Sequence, residues 1–163
     1  SEAKKWFMLA AEQNYAPAQY QLGVMYSGDA NRRGVPSEAA RWFKLSAEQG
    51  WPDAEYQLAR LYSQGVGVKQ DQAAAVQWYR RAAMQGQLDA QFMLGVSYYT
   101  GRGVPRDLIE GLAWFMIAAE TGDADAAQNQ TALEAEAGAA GTRTARDRSA
   151  ALKSQIKIPD TRP

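Results

Sequence analysis

The chain of 163 residues carries 18 basic and 18 acidic residues, is 46% hydrophobic and 22% charged, and contains neither cysteine nor histidine. That balance describes a globular chain able to bury one core. It excludes disulfides, thiolate nucleophiles, Cys-based metal sites and histidine general bases, and its zero net charge gives no overall field for nucleic acid or an anionic membrane surface. The longest apolar stretch, around Leu112 to Ala119, is far short of the ~20 residues of a membrane-spanning helix.

A helical pattern starts directly after Ser1, without a charged leader and cleavage site, as expected of a processed or excised fragment. Along the chain Trp6, Trp42, Trp78 and Trp114 recur every 36 residues, and Trp51 alone stands outside the series. Ala18, Ala54, Ala90 and Ala126 keep the same step, as do Leu22, Leu58 and Leu94 and also Tyr26, Tyr62 and Tyr98. Asn14, Gly50, Gly86 and Gly122 form a parallel ladder of residues that accept the left-handed conformation closing a helix. A fixed period with helix punctuation predicts one helix pair per repeat, a unit that buries its apolar face only by stacking on neighbours.

The predicted elements are therefore a trailing helix B (1–14), repeats at about 15–50, 51–86 and 87–122, a capping helix (123–138), and a basic C-terminal helix with an extended tail (139–163). The first segment, 1–138, forms the repeat array. In helix A, Ala54, Leu58, Ala59, Leu61 and Tyr62 follow helical spacing, and small residues at Gly23, Ala59 and Gly95 allow close approach. In helix B the apolar set is Ala75, Trp78, Tyr79, Ala82 and Ala83, repeated as Gly111, Trp114, Phe115, Ala118 and Ala119. Asp71 and Asp107 are expected to cap helix B, with Ser37 in that role in the first repeat, and Asp53, Asp89 and Asp125 are assigned to capping at other helix starts. Gly65-Val66-Gly67-Val68 and Gly101-Arg102-Gly103-Val104 read as turns; a phosphate-binding loop would need a preceding strand and a third glycine.

The pattern A-x3-L-G-x2-Y-x2-G-x-G-V-x2-D, followed by A-x2-W-[YF]-x2-A-A-x2-G, resembles the Sel1-like repeat, a branch of the tetratricopeptide-like solenoids, over residues 1 to about 128. The resemblance implies an all-α, right-handed α-solenoid of antiparallel helix pairs, with helix A on the concave side and helix B on the convex side. It also implies an adaptor or scaffold role in signalling or envelope assembly, and favours a bacterial periplasm over the cytoplasm. Some cysteine-rich family members are associated with binding or hydrolysing β-lactams, and their paired cysteines are missing here.

Three places depart from the repeat. Between Ser27 and Pro36 the Gly34-Val35 pair arrives three residues late, which predicts a shortened or differently entered helix B and a polar loop (28–33) that is a candidate recognition excursion. In the third repeat Leu112, Ala113, Met116 and Ile117 make the outer face of helix B apolar, a patch to be covered by the C-terminal segment or, as a candidate docking patch at Leu112, Met116 and Ile117, by a partner. In the last helix A, Gln130, Thr131 and Glu134 replace Leu, Gly and Tyr, as suits a cap. Beyond it, residues 139–163 hold six basic and two acidic residues, against twelve basic and sixteen acidic before them. Thr142 is expected to cap a helix through about Gln155, ahead of an extended end at Pro159 and Pro163.

No residue set suggests catalysis, a cofactor or a metal. The recurring carboxylates belong to helix starts, and Ser154-Gln155-Ile156-Lys157 matches an acyl-serine motif without its companions. The basic tail lacks the stacking aromatics of a nucleic-acid site. Trp51 is expected to be a packing plug or an exposed anchor. The primary expectation is a protein or peptide partner bound along helix A at Gln21, Val24, Gln57, Arg60, Met93 and Val96, with no nucleic acid and no membrane insertion. A cell-wall or small-molecule binder or hydrolase, and a purely structural spacer, are the other readings.

Overall fold

The computed structural model describes residues 2–28 and 34–157. The elements are α1 (Glu2–Glu12), α2 (Ala16–Ser27), α3 (Pro36–Glu48), α4 (Pro52–Gln64), α5 (Gln72–Ala83), α6 (Leu88–Thr100), α7 (Leu108–Glu120) and α8 (Ala124–Gln155). The starts of α2, α4, α6 and α8 lie 36 residues apart, and so do those of α3, α5 and α7. The sequence period is thus the period of the fold, an all-α solenoid of helix pairs.

The backbone explains the register. Asn14, Gly50, Gly86 and Gly122 have φ of 63°, 83°, 84° and 92°, the left-handed region that glycine enters without a Cβ penalty. Each hairpin closes on the same main-chain bond, in which the N–H of Val35, Asp71 and Asp107 donates to the carbonyl of Tyr26, Tyr62 and Tyr98 at 2.8, 2.9 and 2.9 Å. Because that bond is kept in the first repeat, α3 begins in register and is not shortened; of the two expectations from the late Gly34-Val35 pair it is the different entry that holds, through Val35 and Pro36 in place of an aspartate cap. The central part of the candidate recognition loop, residues 29–33, lies outside the described residues.

Asp71 and Asp107 accept from the backbone N–H of Ala74 and Glu110, each at 2.9 Å, as helix caps do. Ser37 does not share that role. Val35 occupies the cap position of α3 without a side-chain bond, and Pro36, whose missing N–H costs nothing at a helix start, opens the helix. Asp53, Asp89 and Asp125 sit inside the first turns of α4, α6 and α8 and meet the positive dipole end instead of capping. The cap positions there belong to Trp51, Gln87 and Asp123, of which Gln87 and Asp123 accept from Ala90 and Ala126 N–H at 2.7 and 2.8 Å.

The chain forms two compact units, residues 1–78 and 79–163. In the first, α2 and α3 are antiparallel, because the Ser46 hydroxyl near the end of α3 donates to the Ala16 carbonyl at the start of α2 (2.8 Å). Ala18, Leu22 and Trp42 make one buried cluster with Ala11 of α1; Ala39, Phe43, Ala47, Ala54 and Leu58 make a second, against which Trp51 and Trp78 pack. Trp51 is therefore a plug. Gly23 is needed because a Cβ there would lie 2.5 Å from the Phe43 ring, so the close approach is that of an aromatic ring, not of a helix backbone. Trp6 is 68% exposed, unlike Trp42 at 5%.

In the second unit the same contact recurs, with the Phe115 ring 2.8 Å from a Cβ built on Gly95. Leu112, Phe115, Met116, Ala126, Leu133 and Ala145 form its core. Gly138, at φ 68° and ψ 179°, breaks α8 into segments 124–137 and 139–155. The second segment lies along α7, with Arg148 gripping Glu110 through two hydrogen bonds of 2.7 and 3.1 Å and Lys153 reaching Glu120 at 2.7 Å. Its last turn is tied down by the Lys157 N–H, which donates to the Met84 carbonyl at 2.9 Å. Thr142 lies within the helix and donates to the Glu134 carbonyl rather than capping. This basic helix covers the apolar face of α7, so that Leu112, Met116 and Ile117 are 0%, 6% and 4% exposed. The candidate docking patch is consequently interior surface, since the chain's own alanines and Leu152 take the place of a partner.

One polar site shows how a repeat tolerates drift. The Gln19 carboxamide donates to the Ala11 carbonyl at 3.2 Å and accepts from Gln49 at 2.6 Å. Two repeats on, Gln91 donates to the Ala83 carbonyl at 3.3 Å, but the place of Gln49 is held by Thr121, whose hydroxyl turns to the Ala118 carbonyl. Gln91 Oε1 is left buried without a protein donor. Thr121→Gln is expected to supply it and to raise stability by about 1 kcal/mol, the net worth of a made hydrogen bond. A urea midpoint that rises at constant m-value is the expected result, and an unchanged midpoint would refute the explanation.

Candidate interaction surface

In the first unit the residues singled out on helix A lie on α2 (Gln21 and Val24) and on α4 (Gln57 and Arg60). Gln21, Val24 and Arg60 are exposed, Val24 to 43%, and Gln57 is half-buried. Arg60 Nη1 donates to Gln57 Oε1 at 3.1 Å while its guanidinium stands 5.9 Å from the centroid of the Tyr56 ring. Tyr20 of α2 senses α4 directly: burial first, and the Asp53 carboxylate second, push its hydroxyl above its ordinary pKa. The surface thus presents an amide, a guanidinium over an aromatic ring and an aliphatic side chain, a mixed lining that can pair with peptide groups as well as bury a side chain.

In the second unit the corresponding positions are less available. Met93 and Val96 are half-buried, and Val96, with Phe92 and Tyr99, packs against the cluster formed by α7 and α8. This part of helix A is therefore drawn into the core shared by α7 and α8. Tyr20 and Tyr56, which were not singled out from sequence, belong to the same surface. The signal was a further 36-residue step, Tyr20, Tyr56 and Phe92, less visible than the tryptophan ladder because Gln128 ends it.

Among the described residues no three or more His, Cys, Asp or Glu side chains group so as to hold a metal ion, and no helix is long and apolar enough to cross a membrane. Arg148 is held above its ordinary pKa chiefly by its hydrogen bonds to Glu110, and Arg106 by those to Glu136. Both are structural clasps within the second unit.

Helix pairs in strict register, glycine-closed and keyed by aromatic rings on small residues, define an α-solenoid of the tetratricopeptide-like class. The Sel1 repeat matches residues 1–15, 16–51, 52–87 and 88–123, and the chain belongs to that family. Its structure is similar to that of c5321, described as a protective antigen of uropathogenic Escherichia coli strains displaying an SLR fold, at 34% identity over 94% of this chain with a TM-score of 0.84. The chain spans about a third (33%) of the length of that protein. A Sel1 repeat protein of Oxalobacter formigenes is 33% identical, with 77% of this chain and 94% of that one covered and a TM-score of 0.69. Cysteine-rich protein B of Helicobacter pylori, 23% identical over 78% of this chain and 91% of its own with a TM-score of 0.61, shares the fold. No curated protein sequence matches the chain. Sel1 repeat proteins are in general protein-interaction scaffolds.

Proposed function

We propose that this chain is a scaffold that holds an extended peptide or a partner helix along the outward face of α2 and α4. The observation that carries the reading is the exposure of Gln21, Val24 and Arg60 on helices whose opposite faces are fully used by the core. Val24 is among the apolar side chains that this unit leaves exposed, with Met25 and Val35, and the Arg60–Tyr56 pair adds a cationic and aromatic anchor of the kind that concentrates binding energy. The similar proteins come from bacteria, and the role proposed is in the bacterial envelope or signalling, with the periplasm as the proposed compartment.

The test places a photo-crosslinking amino acid at Val24 or Arg60, and as controls at Arg41 or Lys44 on the exposed side of α3, in the bacterial host. Discrete adducts from 24 and 60, lost on Val24→Glu with Arg60→Glu while the thermal midpoint is kept, are the expected result. Equal labelling from 41 and 44, or no adduct at any position, would refute it.

A further inference from the structure

We propose that the second unit carries a small-molecule site in the cleft between the start of α6, the end of α7 and the last turn of α8, and that it takes an apolar amino-acid derivative with a free N–H and a carboxylate. One buried oxygen defines the site. Gln91 is 3% exposed and its Nε2 donates to the Ala83 carbonyl, while its Oε1 has no protein donor. In the first unit the matching oxygen, Gln19 Oε1, accepts from the Gln49 amide at 2.6 Å, between the start of α2 and the end of α3. The place of Gln49 is held by Thr121, which is shorter and whose hydroxyl turns back to the Ala118 carbonyl at 2.7 Å. Gln91 and Thr121 both line an open cleft of about 440 Å³, so the oxygen and the space left by the shorter side chain belong to one site. A buried acceptor is costly to leave unpaired, and a ligand N–H standing where the Gln49 amide stands in the first unit satisfies it.

The rest of the lining sets what else the ligand carries. Leu88, Ile117 of α7 and Ile156 at the end of α8 form an apolar wall. Leu88 opens α6 and is 50% exposed, where α2 and α4 open with Ala16 and Pro52. The wall is held in place, because the Lys157 N–H is bonded to the Met84 carbonyl. Two lysines stand at the rim against one carboxylate: Lys153 is committed to Glu120 at 2.7 Å, and Lys157 is exposed and makes no ion pair among the described residues. A buried acceptor, aliphatic side chains beside it and one uncommitted cation match a molecule with an N–H, a branched aliphatic group and a carboxylate in close succession, as in an N-acylated leucine. Concave sites of this kind, apolar with a few placed polar groups, are those that orient small ligands.

The experiment titrates the full chain, its isoleucine methyl groups labelled with carbon-13, with N-acetyl-L-leucine. Saturable shifts of the Ile117 and Ile156 methyl resonances are expected, with Ile109 at the other end of α7 unmoved. The dissociation constant is expected to rise about tenfold with N-acetyl-N-methyl-L-leucine, which lacks the N–H, and by a similar factor for N-acetyl-L-leucine on the Lys157→Gln variant. Thr121→Gln is expected to abolish the shifts in a chain that stays folded, because the introduced amide takes the bond to Gln91. Absence of saturable shifts near the solubility limit of N-acetyl-L-leucine would overturn the proposal. So would undiminished binding by the Thr121→Gln variant, or equal binding of the N-methylated probe, since Gln91 would then not be the receiving group.

Discussion

Trp114→Ala is expected to lower the unfolding free energy by ~3–5 kcal/mol, the range for deleting a buried large aromatic ring, whereas Trp6→Ala is expected to change it by less than about 0.5 kcal/mol. The two residues are the same type at the same point of the repeat, so sequence alone offers no reason to separate them. Trp114 is 0% exposed and its Nε1 donates to Glu110 Oε1 at 3.3 Å, the same carboxylate that Arg148 holds from the C-terminal helix. Removing the indole therefore opens a cavity and loosens the clasp that docks the basic helix. Trp6 is 68% exposed and leaves no cavity behind. Urea unfolding followed by far-ultraviolet circular dichroism checks both, and equal losses at the two positions would contradict the packing described.

Ending the chain after Gly138 is expected to turn the second unit into a poorly packed, self-associating species. The removed helix contributes Ala145, Ser149 and Leu152, exposed only 0%, 3% and 2%, to the cover over α7. Without them Leu112 and Met116 face water in one contiguous patch, and Glu110 loses its bidentate guanidinium partner. Binding of a hydrophobic dye and a fall of the thermal midpoint are the expected readings. The single change Leu152→Ala is expected to cost ~2–4 kcal/mol without aggregation, because it removes packing and leaves the helix docked. A truncated chain that stays monomeric with an unchanged midpoint would show that α7 needs no cover.

The C-terminal ion pairs matter in unequal degree. Arg148 and Glu110 have side chains 40% and 12% exposed and meet through two bonds, the geometry in which guanidinium and carboxylate are most specific. Lys153 and Glu120, at 42% and 56%, are screened by water and add little to stability. The docking of the basic helix therefore rests on Leu152, the alanines and the Arg148 clasp.

The amino-acid sequence by itself determined the helix pairs, their period and their ends. Each of these is local: a glycine or asparagine in the left-handed region, an aspartate facing free N–H groups, and an apolar face at helical spacing act within one turn of chain. Three things only the tertiary structure decided, because each depends on what lies on the far side of a helix. Trp6 is exposed although its ladder partners Trp42 and Trp114 are buried; Val96 packs against the core shared by α7 and α8 while Val24, at an equivalent position, is exposed; and Leu112, Met116 and Ile117 are covered by the chain's own basic helix. A repeated residue carries the same side chain at every step, but its burial is set by its neighbours in space.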